Sequence, residues 1–391
     1  MQGRTGSGWG VLFVTSTLEV GGSETKVVRI ANALAASGMR AAIAYLNPPE
    51  TLLDRVAPGV PVTHLERRGK FSLRSLRRLR EITASAPQLL VAVNLYPLLY
   101  VVPAAARAAQ ARSVCLINTT DFVDGQWIWG RVFAPFLRRC DLLVYGCRYQ
   151  QDLWTRKYRL PAGRSRHIYN GVDTAHFAPD ENGERARTFR ARHGIPPDAL
   201  LVGGVGRFAP EKHFELLIAA VRRLHDSQRP VHLVLVGDGA GRAKLEACVA
   251  DAGLGRYVAF TGVLDDIRPA LAAMDVFVLP SRAVETFSNA ALEAMAMERP
   301  VVLSRIGGAA EMVVPGESGF LFEARDLDGL VRELETLCDS RELRERVGHA
   351  ARRRVIESFS FAAMVEEYAS MIRSLAGAPP AANAVPESPG S

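Results

Sequence analysis

Four charged side chains in the second half of this 391-residue sequence, Arg207, Lys212, Glu285 and Glu293, have the types and spacing to grip a diphosphate and its hydroxyl-bearing substituents. The acids lie in the run Leu279-Pro-Ser-Arg-Ala-Val-Glu285-Thr-Phe-Ser-Asn289-Ala-Ala-Leu-Glu293-Ala-Met-Ala296. Val276 to Leu279, closed by Pro280, reads as the end of a buried strand, and Ser288 or Asn289, both good N-cap types, opens a helix. Unpaired N–H groups of Phe287, Ser288, Asn289 and Ala290 then face outward, and the helix dipole favours an anion before them by about 0.3–1 kcal/mol. Glu285 precedes the helix, and Glu293 lies roughly 6–7 Å along it at about 1.5 Å per residue. A diphosphate at the helix end therefore has one carboxylate for sugar hydroxyls and one for ribose hydroxyls. Glycoside hydrolysis fits poorly, because it needs carboxyls flanking one bond, one of them protonated. Taken alone, the pair reads equally as a loop acid and a solvated helix position.

The cations follow a second strand. Leu200-Leu-Val-Gly-Gly-Val-Gly206 runs into Arg207-Phe-Ala-Pro-Glu-Lys212, then into a helix with Leu216, Leu217 and Val221 on one face. Arg207 and Lys212 thus stand at a strand's C-terminal edge, where α/β sheets bind ligands. Arginine forks onto phosphate oxygens, and lysine acts as a point charge. Near the start, a strand over 10–14 leads through Gly21 and Gly22 to a helix that Ser23 is expected to cap, with Val27, Ile30 and Leu34 as its apolar face. The glycines allow close backbone approach to a ligand.

These motifs together resemble the retaining glycosyltransferases of family 4. The resemblance is carried by the E-x7-E spacing with Pro280-Ser281 before it and Glu293-Ala-Met-Ala296 closing it. It is also carried by Arg207-x4-Lys212 after Gly206, by Gly21-Gly22-x-Glu24, and by His167-Ile-Tyr-Asn170-Gly171-Val-Asp173. It spans nearly the whole chain, tightly over 200–323 and loosely before residue 165. It implies an α/β chain of GT-B fold: two Rossmann-like, doubly wound parallel-sheet domains facing a cleft. The expected division is an acceptor-side domain over 1–170, completed by a helix over 360–375, a nucleotide-sugar domain over 171–359, and a disordered tail over 376–391. The resemblance further implies that Gly21 and Gly22 face donor phosphates and acceptor, and that backbone at Gly262, Val263 and Leu264 meets the base. One position departs from the family: a histidine that contacts the donor sugar is replaced after the strand 113–117 by Asn118-Thr-Thr-Asp121, and no histidine occurs between His64 and His167. Asn118 or Asp121 is expected to supply that hydrogen bond.

Strands are expected at 41–46, 62–65, 89–93, 113–117, 142–145 and 166–168 in the first half, alternating with helices or loops as a doubly wound sheet requires. Two segments there carry no part of the donor motifs. The stretch 67–80 holds seven basic residues and no acid, with Phe71, Leu73, Leu76 and Leu79 interleaved. It reads either as a basic amphipathic helix for anionic membrane or as a solvated face. Trp127, Trp129, Phe133, Phe136 and Leu137, before Arg138 and Arg139, suit a lipid or sugar acceptor or else core packing.

Composition narrows the partners. A formal net charge of +7 points to an acidic ligand, and no zinc-finger, RNP or helix-turn-helix pattern supports nucleic acid. The five cysteines show no CxxC or metal spacing and read as buried free thiols of a reducing cytosol. Residues 1–10 lack a signal-peptide core, and Asn94, Pro97 and Pro103 interrupt the apolar stretch 89–106, so it reads as strand, turn and helix. Asp326-Leu-Asp328 is assigned to helix capping rather than to a metal. The expectation is metal-free transfer of a sugar from a UDP- or GDP-sugar to a glycan or lipid-linked glycan of cell-surface polysaccharide assembly, in the cytoplasm or at the inner face of the cell membrane. A nucleotide-sugar 2-epimerase and a non-catalytic scaffold are the alternatives.

Overall fold

The computed structural model describes residues 10–84, 88–108, 111–119, 127–283 and 285–377. Thirteen strands form two sheets: β1 Gly10–Thr15, β2 Arg40–Tyr45, β3 Val62–His64, β4 Gln88–Val93, β5 Arg112–Ile117, β6 Leu142–Tyr145 and β7 Ser165–His167 in the first, and β8 Leu201–Val205, β9 His232–Val236, β10 Val258–Gly262, β11 Val276–Leu279, β12 Val301–Ser304 and β13 Phe320–Phe322 in the second. The orders are β3-β2-β1-β4-β5-β6-β7 and β10-β9-β8-β11-β12-β13. Every pairing is parallel, for example Gly10 opposite both Arg40 and Gln88, and Val276 opposite Val202. The strand order reverses between β1 and β4 and between β8 and β11. Such switch points open a crevice at the strands' C-terminal ends.

Both faces of each sheet are covered, which explains why the strands read as apolar runs rather than alternating ones. Val11 and Phe13 enter one core, while Leu12 and Val14 enter another on the opposite face. In the second sheet Phe277 and Leu279 point one way, and Val276 and Val278 the other. Two glycines of β8 have packing reasons: a Cβ at Gly203 would lie 2.3 Å from Met274 Sδ, and one at Gly204 2.6 Å from Phe214 Cε1.

The chain crosses between the halves twice, side by side. Val172 N–H donates to Phe359 O at 2.9 Å and Phe361 N–H to Val172 O at 2.8 Å. A Cβ at Gly171 would meet Ser360 O at 2.6 Å, so the crossing needs glycine there. The last helix, Phe361–Gly377, then buries Met364, Tyr368, Met371 and Ile372 against Val11, Val27 and Ile30 of the first half. Residues 378–391 lie outside the described residues.

One feature differs from the sequence expectations, and two readings left open there are narrowed. The first helix is Gly22–Ala36, with Gly21 as an extended N-cap (φ −156°, ψ 163°) and no side-chain cap, so Ser23 sits inside its first turn. The basic stretch forms the helix Leu73–Thr83, capped by Ser72; Leu76 and Leu79 are buried, whereas Phe71 and Leu73 are exposed. Its charges are partly matched, since Arg74 and Arg78 both reach Glu66. Phe133 and Leu137 belong to the core around Tyr100 and Trp154 rather than to a binding surface; the Trp127 and Trp129 side chains lie outside the description.

All five cysteines are free; Cys115, Cys140 and Cys147 are buried, while Cys248 and Cys338 are only half-buried. Among the described residues no group of three His, Cys, Asp or Glu side chains is placed to hold a metal, and no helix is long and apolar enough to cross a membrane.

Candidate active site

The C-terminal ends of β8 and β11 bring the cations and the first acid together. Gly206 follows β8 at φ +158°, and the loop turns through a short helical segment, Pro210–Lys212, that carries Lys212 back over the sheet edge. Lys212 Nζ donates to Glu285 Oε2 at 2.6 Å, and Ser281 Oγ donates to the same oxygen at 3.0 Å. Arg207 is turned outward, with its side chain 74% exposed and bonded to Glu211 at 2.8 Å.

The helix Asn289–Ala296 starts where the residue types placed it. Ser288 is its N-cap, and Ser288 Oγ accepts the Ala291 N–H. The N–H groups ahead of that bond form the open helix end. A cavity of about 410 Å³ lies before them, lined by Gly22, Asn118, Gly206, Arg207, Lys212, Glu285, Phe287, Ser288, Asn289 and Ala290. Gly307 and Gly308 support this loop from below. Gly307 has φ +54°, and a Cβ there would come within 1.9 Å of Glu285 O, while one at Gly308 would meet Thr286 O at 2.8 Å.

Other expected residues stand apart from this cavity. Gly21 adjoins it as the N-cap but does not line it, and Glu293, Gly262, Val263 and Leu264 lie outside its wall. Val263 is 79% exposed, and Gly262 takes φ +72°. Asp121 lies outside the described residues. Burial pushes the Glu293 carboxyl up to about 7, with Arg29 across the cleft opposing that shift. Asp326 caps the helix Leu327–Cys338 by accepting the Gly329 N–H.

The structure adds groups that were not among the expected site residues. Lys26 and Asn170 line the cavity. Asn170 Nδ2 donates to Phe287 O at 2.9 Å, tying the chain crossing to the helix end. Glu311, from the second half, accepts the N–H groups of Arg148 at 2.9 Å and Tyr149 at 2.8 Å, and the Tyr169 hydroxyl at 2.8 Å. It therefore caps the helix Arg148–Tyr158 of the first half, which has no side-chain cap of its own. A lysine in the first turns of a helix, where the dipole disfavours a cation, was the available signal for Lys26. Nothing local in the sequence marked Glu311.

Comparison with known proteins adds a second line of evidence. Residues 186–354 match the family model described as Glycosyl transferases group 1, and residues 20–176 match that described as Glycosyltransferase Family 4. The chain is 30% identical over 277 residues to the GDP-mannose-dependent alpha-(1-6)-phosphatidylinositol monomannoside mannosyltransferase of Mycolicibacterium smegmatis, covering 68% of this chain and 71% of that protein. It is 36% identical over 185 residues to the lipopolysaccharide core biosynthesis glycosyltransferase LpsE of Rhizobium meliloti, covering 47% of this chain and 53% of LpsE, about half of that relative's length. Among solved structures, HepE of Anabaena in complex with UDP superposes with a TM-score of 0.84 at 22% identity, covering 93% of this chain and 100% of that one. Sucrose-phosphate synthase of Thermosynechococcus elongatus superposes at 0.79 and 22% identity, covering 94% and 99% of the two chains. At that identity both establish a shared fold.

Proposed function

The chain belongs to glycosyltransferase family 4, and we propose that it moves a sugar from a nucleoside diphosphate sugar to an acceptor hydroxyl with retention at the anomeric carbon. The observation that carries this reading is the Lys212–Glu285 pair at the helix end, set in one cavity at the β8/β11 switch point. In the reaction, negative charge develops on the leaving diphosphate. Lys212, Arg207 after it swings inward from Glu211, and the N–H groups at Asn289 and Ala290 stabilise that charge. Removing one such donor costs roughly 3 kcal/mol, or a hundredfold or more in rate. Glu285 accepts from sugar hydroxyls, Glu293 from the ribose, and Asn118 offers an amide near the sugar. Transfer needs no metal in this scheme, because two cations and a helix end neutralise the phosphates.

The donor is a UDP- or GDP-sugar, in keeping with the GDP-mannose of the mycobacterial relative and the UDP in HepE. The acceptor is a glycan or lipid-linked glycan of cell-surface polysaccharide assembly, a class suggested by the relatives' lipid and lipopolysaccharide substrates. Exposed Phe71 and Leu73 beside Arg74 and Arg77 support a peripheral contact with anionic membrane at its inner face.

The test supplies UDP- and GDP-hexoses with chelator, with and without lipid-linked acceptors, and identifies products by NMR. Acceptor-dependent release of nucleoside diphosphate, with the sugar joined in the donor's anomeric configuration, supports the reading. Free 2-epimeric sugar formed without acceptor identifies an epimerase, and no turnover with any acceptor favours a scaffold.

A further inference from the structure

Lys26 is a cation in the site whose side-chain partners, among the described residues, are two neutral amides. It stands in the opening turns of the helix Gly22–Ala36, against the helix dipole, and lines the cavity facing Lys212 and Glu285. Its Nζ donates to Asn118 Oδ1 at 2.5 Å and to Asn170 Oδ1 at 3.2 Å. Among the described residues no carboxylate forms an ion pair with it, although Glu24 lies within electrostatic range. Desolvation pushes its ammonium down to about 8, and Glu24 offsets this only in part. A charge held in such a place by neutral amides is costly unless an anion joins it.

The amides also aim it. Asn118 itself is fixed, its N–H donating to Asn94 Oδ1 at 3.1 Å. Asn170, through Phe287 O, links Lys26 to the helix end opposite. Glu293, the ribose acid of the proposed scheme, lies along the helix outside this cavity, within electrostatic range of Arg29 on the helix that carries Lys26. Lys26 instead shares its cavity with Lys212, Glu285 and the open helix end, the groups to which the proposed scheme gives the diphosphate and the sugar.

We propose that Lys26 is a donor-binding residue that clasps the distal phosphate from the first half of the chain, so that the leaving diphosphate is held by cations of both halves. This rests on the nucleotide-sugar reading above. It assigns a positive charge to a domain whose expected donor contacts were Gly21, Gly22 and Asn118 or Asp121.

The test measures calorimetric affinity for UDP, GDP, UMP and GMP on the native protein, Lys26→Met and Lys26→Arg. Loss of one charge-assisted bond predicts roughly a ten- to hundredfold weaker diphosphate affinity in Lys26→Met, with monophosphate affinity unchanged and Lys26→Arg near native. A pH series separates charge from packing. Lysine is charged below its pKa, so native diphosphate affinity falls as pH rises through about 8, and Lys26→Arg removes that fall. Among the described residues the other charged groups lining the cavity are Arg207, Lys212 and Glu285 from the second half, and Glu24 lies within electrostatic range of Lys26 on its own helix. Carboxylates and guanidinium ordinarily keep their charge near that pH, so a fall that survives in Lys26→Arg would show that the Lys26 charge does not set it and would overturn the assignment. Equal loss for mono- and diphosphates, or no loss for either, overturns the assignment while leaving the family reading intact. If the native protein binds the monophosphate and diphosphate of one base equally, Lys26 holds no distal phosphate. If it binds no nucleotide, both readings fall.

Discussion

Lys212 Nζ lies 2.6 Å from Glu285 Oε2, so the phosphate cation and the sugar acid of the proposed site neutralise each other. Their side chains are only 21% and 12% exposed. Removing one partner leaves the other as a poorly solvated charge, which is the expensive way to break such a pair.

Lys212→Met is accordingly expected to lower stability by about 1–3 kcal/mol, less than a fully buried pair would lose because some solvent reaches it. The double variant Lys212→Met with Glu285→Gln should regain most of that stability without regaining activity. Denaturant melts of the four members of this double-mutant cycle measure the coupling. Additive losses would mean that the pair contributes nothing.

Glu293 sets a pH prediction. Its carboxyl is raised from an ordinary 4.5 to about 7 in the folded chain. The folded state therefore holds a proton that the unfolded state releases between those values. Its contribution is most favourable below about pH 4.5 and declines as pH rises to 7. Glu293→Gln removes the decline, so the melting temperature of this variant relative to the native protein should increase from pH 5 to pH 8. A pH-independent difference would show that the acid is not buried.

Glu311 joins the halves by capping a helix that is not its own. Glu311→Ala is expected to cost about 1–2 kcal/mol, in the range of a lost N-cap. Hydrogen exchange at the amides of Arg148 and Tyr149 should accelerate before that of the sheet interiors. Unchanged protection at both amides would count against the cap.

Gly307→Ala should disturb the site without touching its charges. The position combines φ +54° with a Cβ placed 1.9 Å from Glu285 O, so the loop carrying Glu285 must shift. A stability loss of about 1–3 kcal/mol is expected from overpacking, together with weakened nucleotide binding. Calorimetry and melts on the same sample check both.

The second half was legible because its signals are local. Val276–Leu279, Pro280 and Ser288 announce a strand, a stop and a cap within thirteen residues, and Arg207 to Lys212 follows a strand end in the same manner. Pairing of Lys212 with Glu285 across 73 positions followed from both lying at one sheet edge. The first half was less readable. Ser23 looked like a cap, yet the extended Gly21 already opens the helix, and the apolar positions of the basic stretch split between core and solvent. The need for glycine at Gly307 and Gly308 was not legible, because a clash with the backbone of Glu285 and Thr286, more than twenty positions away, has no trace in nearby residues. Glu311 was invisible for the same reason, since its partners at Arg148 and Tyr149 lie more than 160 positions away.

The proposed metal-free site for a nucleoside diphosphate at the Lys212–Glu285 junction is probed by calorimetry with UDP and GDP in the presence of chelator. The native protein should bind one of the two, and Lys212→Met should bind it roughly a hundredfold more weakly, as expected for loss of a charged donor at a phosphate. Binding that requires a divalent metal, or that survives Lys212→Met undiminished, would contradict the account.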